Sequence, residues 1–223
     1  MIRAAIFDVD GTLLDSMPIW EDAAAIFLKK HGVEAEPGLG RRLYAMSMEE
    51  GAACLRQKYG LRLSPAEIIS GVSEVISGFY FREAPLKPHA ESFLKALRAK
   101  GIPMAVATSN ERRPVEAAFR RLGIAGYFTE IFTCSEVGAG KTEPDIFIRA
   151  AAALRTPPQE TWVFEDAFYA AYTARQAGFR VAGLYDKSGA DDLERLKETA
   201  DLYIGDFHDF TGFYRIAGKE ETP

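Results

Sequence analysis

The sequence predicts an α/β protein in which a parallel β-sheet is interrupted, after its first strand, by an all-helical segment. Three observations lead to this prediction. An apolar run, Ile2–Phe7, ends abruptly at two aspartates. Residues 16–82 carry apolar side chains at helical spacing and show no strand pattern. From about residue 84 onward, short apolar runs alternate with helical patterns, as they do in a parallel sheet covered on both faces.

The inserted segment is expected to contain three helices. The first follows Asp15–Pro18, where a side-chain acceptor precedes a proline suited to an early helical position, and it ends near Gly32. The second spans roughly Met48–Tyr59. The third begins at Ser64-Pro65-Ala66-Glu67, which has the sequence of a capping box. We therefore expect a helical cap domain at residues 16–83.

The remaining residues, 1–15 and 84–223, are expected to form the α/β core. Its short apolar runs are best interpreted as buried strands because helical patterns separate them. The predicted strands are 2–7, 102–107, 130–133, 162–164, 181–184 and 202–204, and the predicted helices are 89–100, 111–122, 144–154, 167–177 and 190–199.

The composition is that of an ordinary soluble globular protein. The net charge is −5, and no basic stripe favours nucleic-acid binding. No apolar run is long enough to cross a bilayer, and the N-terminus does not resemble a signal peptide. Cys54 and Cys134 lack a disulfide or zinc pattern and are expected to be reduced thiols. We expect a cytoplasmic monomer that binds neither nucleic acid nor membrane.

The first strand ends in Asp8-Val9-Asp10-Gly11-Thr12. Side chains at i and i+2 share a side, so Asp8 and Asp10 can both face a cleft at the carboxyl end of the strand. Two carboxylates this close repel each other unless a cation or a shared proton intervenes. Gly11 permits a sharp turn and Thr12 offers a hydroxyl. A solvated turn is the alternative interpretation of this stretch alone.

Polar groups also follow three later strands. Thr108-Ser109-Asn110 offers a hydroxyl and backbone amides near a helix start, which suits an anion or simply caps the helix. Lys141 lies on a glycine-rich loop, but Ser135 stands where a nucleotide-binding P-loop requires glycine. Glu165-Asp166 is a second acidic pair, and such hard oxygen ligands favour Mg²⁺.

Taken in order, these four motifs resemble those of the haloacid dehalogenase-like (HAD) superfamily. Asp8–Thr12 matches its first motif, Thr108 its second, Lys141 with the following Pro144-Asp145 its third, and Glu165-Asp166 its fourth. The resemblance covers essentially the whole chain. It is strongest for the helical-cap branch that contains beta-phosphoglucomutase and phosphoglycolate phosphatase, and it implies a Rossmann-like parallel sheet core with an inserted all-helical cap.

The resemblance implies a Mg²⁺-dependent phosphatase that hydrolyses a small phosphorylated metabolite, such as a sugar phosphate, through an aspartyl-phosphate. Asp8 would be the nucleophile, and Asp10 would protonate the leaving oxygen and later activate water. The Asp8 carboxylate, the Asp10 carbonyl and Asp166 would hold Mg²⁺, with Glu165 as a further or supporting ligand.

The same resemblance implies a phosphate-binding set. Thr108 and the Ser109 amide would bind phosphoryl oxygens, and Lys141 would balance the charge of Asp8 and of the phosphate. The sequence departs from the subgroup at Ala167 and Thr142, where serine and proline are usual. Neither departure removes a nucleophile or a ligand.

Two other functions remain open at this stage. A phosphoglucomutase-type transfer needs a cap cation for a second phosphate, and the comparable stretch, Ala45–Glu49, contains no arginine. Arg41, Arg42 or Lys58 could substitute, but hydrolysis is favoured. Asp10 argues against a dehalogenase, because dehalogenases of the superfamily lack the second aspartate. A non-catalytic phosphometabolite-binding protein is the more distant alternative.

Overall fold

The computed structural model describes residues 1–43 and 46–218, apart from the Arg41 side chain; Ala45, considered above for the mutase interpretation, lies outside this part. The chain divides into two compact units. We call Met1–Asp15 with Pro85–Pro223 the sheet unit, and Ser16–Ala84 the helical unit.

The sheet unit contains six parallel strands in the order β3-β2-β1-β4-β5-β6. This arrangement confirms the predicted α/β fold class. The largest departures from the predicted strands are at β1 and β2, which both begin two residues later than predicted. Strand β4 is one residue longer at each end than predicted and includes Glu165 itself. The strands are β1 (Ala4–Phe7), β2 (Met104–Thr108), β3 (Glu130–Thr133), β4 (Thr161–Glu165), β5 (Arg180–Leu184) and β6 (Leu202–Ile204).

Strand β1 lies in the middle of the sheet, between β2 and β4. All four of its residues are buried and apolar, as expected of a strand covered on both faces. The strand order reverses at β1, because β2 and β3 lie on one side while β4, β5 and β6 lie on the other. Ligands of open α/β sheets bind at the carboxyl edge of such a switch point.

The helices of the sheet unit include two that were not predicted from the sequence, α7 (Cys134–Val137) and α11 (Phe210–Ala217). Thr133 caps α7 and Asp209 caps α11, each by accepting the backbone N–H of the third residue of the helix. The predicted helix 190–199 begins as a 3₁₀ helix, Lys187–Asp192. The α-helices are α5 (Ala90–Ala99), α6 (Arg112–Arg121), α7 (Cys134–Val137), α8 (Asp145–Leu154), α9 (Phe168–Gln176), α10 (Leu193–Thr199) and α11 (Phe210–Ala217).

The helical unit consists of α1 (Met17–Lys30), α2 (Leu39–Leu43), α3 (Met48–Tyr59) and α4 (Pro65–Arg82). The predicted capping box at Ser64 is present, and Ser47 forms a second one at the start of α3. The short helix α2 was not predicted. None of the described helices is long and apolar enough to cross a membrane.

The two chain segments that flank the helical unit are joined within the sheet unit. The Asp15 N–H donates to the Pro85 carbonyl at 3.0 Å, and Leu14 forms an antiparallel bridge with Leu86. The Lys87 N–H donates to the Leu13 carbonyl at 2.8 Å. The chain therefore leaves and re-enters the sheet unit at one place.

Candidate active site

The segment after β1 begins with Asp8, which is 6% exposed. Its N–H donates to the Phe164 carbonyl at 3.0 Å, so the pairing of β1 with β4 continues one residue past the strand. A tight loop follows, in which the Leu13 and Leu14 amides both donate to the Val9 carbonyl at 3.0 and 2.8 Å. This loop fixes Asp8 at the carboxyl edge of the sheet.

Gly11 lies against the side chain of Asp166, which follows β4. Its φ of +82° is in the left-handed region, and a Cβ at this position would lie 2.3 Å from Asp166 Oδ2. Thr12 donates its hydroxyl to Asp166 Oδ1 at 3.1 Å. The glycine thus permits the close approach, and the threonine orients the carboxylate.

Lys141 is buried on the loop between α7 and α8. Its ammonium donates to Asp8 Oδ1 and, at 2.5 Å, to Glu165 Oε1. Glu165 Oε2 accepts from the Ala167 N–H at 3.3 Å. One lysine therefore joins the carboxylates at the ends of β1 and β4.

Asp8, Glu165 and Asp166, which we call the carboxylate cluster, bring carboxylate oxygens within 4.8 Å of one another. Lys141 supplies one positive charge against these three acids. Asp186 lies near enough to repel Asp166 and is paired with Lys87 by an ion pair of 2.5 Å. A cluster of hard oxygen ligands with excess negative charge is a suitable site for a divalent cation.

The ionisation of the buried groups shows the same charge imbalance. Burial raises the pKa of Glu165, the charge of Lys141 lowers it, and the charge of Asp8 raises it. The result is a pKa of about 7. Burial and the charges of Asp8 and Glu165 raise the pKa of Asp166 well above its ordinary value. Burial alone would lower the pKa of Lys141, but the negative charges of Asp8 and Glu165 raise it overall. The lysine therefore stays charged, while Glu165 and Asp166 bind protons more readily than ordinary carboxyl groups do.

We expect the free energy of unfolding, measured in EDTA, to fall as the pH is raised from about 5 to about 8. Glu165 has a pKa of about 7 in the fold against 4.5 as its ordinary value, so the folded state binds more protons in that interval. The free energy of unfolding then falls as the pH rises through about 7, by about 1–3 kcal/mol. Urea unfolding at several pH values measures this change.

The matched control for this pH dependence is Glu165→Gln, which removes the titrating group. The stability difference between wild type and this variant should shrink as the pH rises, and Mg²⁺ should stabilise wild type more at pH 8 than at pH 5. A difference that does not vary with pH would show that Glu165 ionises normally.

Thr108 is the last residue of β2 and is fully buried. Its Oγ1 accepts from the Asn110 N–H at 3.0 Å, which leaves the hydroxyl proton available to donate to an anion. Ser109 is exposed at the same edge, with its Oγ 3.6 Å from Cys134 Sγ. Both Cys54 and Cys134 are free cysteines.

The structure brings most of the sequence-predicted site residues together. Asp8, Lys141 and Glu165 are in direct contact, and Asp166 lies beside them. The Asp10 carboxylate is outside the carboxylate cluster; its Oδ2 accepts from Asn110 Nδ2 at 3.1 Å.

Three residues near the site were not assigned a role from the sequence. Asn110 was identified only as part of a stretch that either binds an anion or caps a helix, although its place just after β2 was a usable signal. Lys87 precedes α5 and Asp186 follows β5, and their side chains form an ion pair that nothing in the sequence links. The position of Asp186 after a strand is the only sequence signal for this pair.

A lysine and three acids thus lie together at the switch point of a parallel sheet, where ligands of such sheets bind. The sequence model of the haloacid dehalogenase-like hydrolase family matches residues 2–178 of this chain. The chain belongs to the haloacid dehalogenase-like hydrolase family, as the motifs indicated.

Curated relatives and solved structures agree with this assignment. A phosphorylated carbohydrates phosphatase of Thermotoga maritima is 27% identical over 184 residues, covering 82% of this chain and 85% of its own. Hexitol phosphatase A of Escherichia coli is 30% identical over 212 residues, which cover 94% of this chain and 93% of that protein. The crystal structure of a putative beta-phosphoglucomutase from Thermotoga maritima superposes with a TM-score of 0.82 at 24% identity, covering 96% of this chain and 99% of that one.

The structural likeness at 24% identity is evidence for the fold alone. The family and the phosphatases among the relatives confirm the predicted enzyme class, a phosphoric monoester hydrolase.

Proposed function

We propose that this protein is a Mg²⁺-dependent phosphatase that hydrolyses a small phosphorylated metabolite, such as a sugar phosphate, through an aspartyl-phosphate. The main support is the carboxylate cluster joined to Lys141 at the carboxyl edge of β1 and β4. Substrates of the sugar-phosphate class are suggested by relatives named for phosphorylated carbohydrates and hexitols.

In this proposal Asp8 attacks phosphorus. One carboxylate oxygen bonds to phosphorus while the bond to the ester oxygen breaks, and Asp10 gives its proton to that oxygen. Water then attacks the aspartyl-phosphate, Asp10 takes the proton of the water, and the bond between Asp8 and phosphorus breaks. A carboxylate is a weak nucleophile, so the reaction depends on positioning and charge neutralisation.

The neighbouring groups have matching roles. Mg²⁺, held by Asp8, the Asp10 carbonyl, Asp166 and in part Glu165, would supply positive charge that offsets the phosphoryl oxygens. The proposed ligand set is supported by the crowding of acids around one lysine. Glu165 also keeps Lys141 in place through its own contact with the ammonium.

The phosphate would be held by Thr108, the Ser109 amide and Lys141. Thr108 is suited to this role because its oxygen already accepts from Asn110, so its proton points elsewhere. Fixed donors aimed at developing charge contribute more inside a dry site than in water.

Hydrolysis is favoured over a mutase reaction because two cationic side chains of the helical unit are already paired with a carboxylate. Arg42 and Lys58, two candidates for gripping a second phosphate, both form ion pairs with Glu36. This pairing also lowers the pKa of Glu36, with the Lys58 contact as the largest cause. A cation already neutralised by a carboxylate is a poorer anchor for a phosphate.

Asp8→Asn tests the proposed function. Wild type with Mg²⁺ should release phosphate from p-nitrophenyl phosphate, EDTA should abolish the release, and Asp8→Asn should lose at least about 10⁴-fold in kcat because no nucleophile remains. A panel of sugar phosphates ranked by kcat/KM then narrows the substrate.

Asp209→Asn provides the matched control, since it makes the same chemical change at the cap of α11, where asparagine caps as well as aspartate. It should keep wild-type turnover. Unchanged turnover in Asp8→Asn would rule out Asp8 as the nucleophile, and an inactive wild type would favour the non-catalytic binding protein.

A further inference from the structure

Asn110 is a buried amide that connects the segments after β1 and β2. It is 6% exposed. Its N–H donates to Thr108 Oγ1 at 3.0 Å, its Oδ1 accepts from the Glu111 N–H at 2.8 Å, and its Nδ2 donates to Asp10 Oδ2 at 3.1 Å. Backbone and side chain are thus engaged at three points.

The direction of the side-chain amide is fixed by its backbone partner. The Glu111 N–H can only donate, so the atom facing it must be the amide oxygen. The NH₂ group then necessarily faces Asp10. The contact with Asp10 is therefore a donor to a carboxylate oxygen, and a flipped amide would lose both hydrogen bonds.

This contact distinguishes the two oxygens of Asp10. Oδ2 is occupied as an acceptor by the amide, so a proton carried by Asp10 belongs on Oδ1. Asp10 is only partly buried and lies on a loop. The amide contacts its Oδ2 from the β2 side, and a misplacement of a reacting group by about 1 Å can cost about 10²-fold in rate.

We propose that Asn110 is a positioning residue for proton transfer, holding Asp10 Oδ2 so that Oδ1 exchanges the proton with the substrate. The proposal rests on the proposed function. In the first step the proton moves from Asp10 Oδ1 to the ester oxygen as the bond between that oxygen and phosphorus breaks. In the second step Oδ1 takes the proton of water as the oxygen of water bonds to phosphorus and Asp8 is released.

Leaving-group dependence gives the first test. Phenyl phosphate and 2,4-dinitrophenyl phosphate differ in how much the departing oxygen needs a proton, because dinitrophenolate is a far weaker base. Asn110→Ala should lower kcat/KM for phenyl phosphate by about 10–100-fold and affect the dinitrophenyl ester much less. A loss in Asn110→Ala that is equal for both esters would overturn the proposal.

A double-mutant cycle with Asp10→Asn gives the second test. Once Asp10 cannot transfer a proton, Asn110→Ala should cause no further loss on phenyl phosphate. A residue that only supports the fold, or that contacts the substrate directly, would cause its full loss in both backgrounds, and that result would overturn the proposal.

Asn110→Asp keeps the test valid if the alanine variant does not fold. Aspartate retains the shape and the acceptor for the Glu111 N–H, but it replaces the donor to Asp10 with a second carboxylate. The same difference between the two esters is expected, and the melting temperature of the variant shows whether it is folded. An active wild type with no such difference in Asn110→Asp would overturn this inference alone, whereas a wild type inactive on both esters would overturn the proposed function and the inference with it.

Discussion

Lys141→Met should lower turnover by about 10²–10³-fold, because it removes the buried cation that contacts Asp8 and would balance the phosphate. Methionine keeps an unbranched apolar chain of similar length, so the change isolates the charge. The loss should fall mainly on kcat, since the lysine would act most strongly on the charge that develops during transfer. Steady-state kinetics with saturating Mg²⁺ measures it.

The same change should also destabilise the protein in a pH-dependent way. Removing one partner of a buried ion pair typically costs about 3–5 kcal/mol, because it leaves charge without compensation. Here Glu165, whose pKa burial already raises, would escape that cost by protonation. The destabilisation should therefore be small near pH 5 and grow towards pH 8, and Mg²⁺ should restore part of the stability without restoring turnover.

Lys95→Met is the control, since Lys95 is an exposed lysine on α5. It should change the free energy of unfolding by less than about 0.5 kcal/mol and leave turnover unchanged. Wild-type turnover in Lys141→Met would contradict any role of this lysine in charge balance.

Gly11→Ala should remove most activity through a single methyl group. The new Cβ would lie 2.3 Å from Asp166 Oδ2 and 2.7 Å from Asp166 Cγ, in a residue with a φ of +82°. Asp166 must move, and its hydrogen bond from Thr12 would be lost. We expect a loss of about 2–4 kcal/mol in stability, about 10²-fold in turnover, and a higher Mg²⁺ concentration for half-maximal rate.

Gly123→Ala separates the effect of the backbone conformation from the effect of the clash with Asp166. Gly123 has a similar φ of +73°, but a Cβ there would have no atom within 4 Å. It should lose about 1–2 kcal/mol from the backbone conformation alone and keep the wild-type Mg²⁺ dependence. If both variants lose the same stability and activity, the close approach of Gly11 to Asp166 is not important for function.

The fold was predictable where local pattern and burial agree. The buried run of β1 and the capping box at Ser64 carry their structure in a few residues, and both are present. Helices α2 and α7 were missed because they have five and four residues, too few for a periodic pattern. Helix α11 was missed although it has a local signal, the cap residue Asp209 followed by the buried apolar residues Phe213 and Ala217 at helical spacing.

The candidate site was predictable as a set of strand ends but not as a set of contacts. Chain order and the parallel sheet bring Asp8, Lys141 and Asp166 to one edge. Which atoms meet depends on side-chain directions that no spacing encodes. Thus Asn110 was grouped with its neighbours as an anion site or a helix start, and only its contact with Asp10 distinguishes it.

The backbone hydrogen bond between Asp15 and Pro85 has a consequence for how this chain can vary in length. For the sheet unit, everything between these residues is one closed loop, whose two ends are already fixed side by side. The entropic cost of closing a loop rises slowly, by only about 0.6 kcal/mol for each doubling of its length. The sheet unit therefore places little thermodynamic restriction on the size of the inserted segment, which can lengthen, shorten or be exchanged while the strand order stays the same.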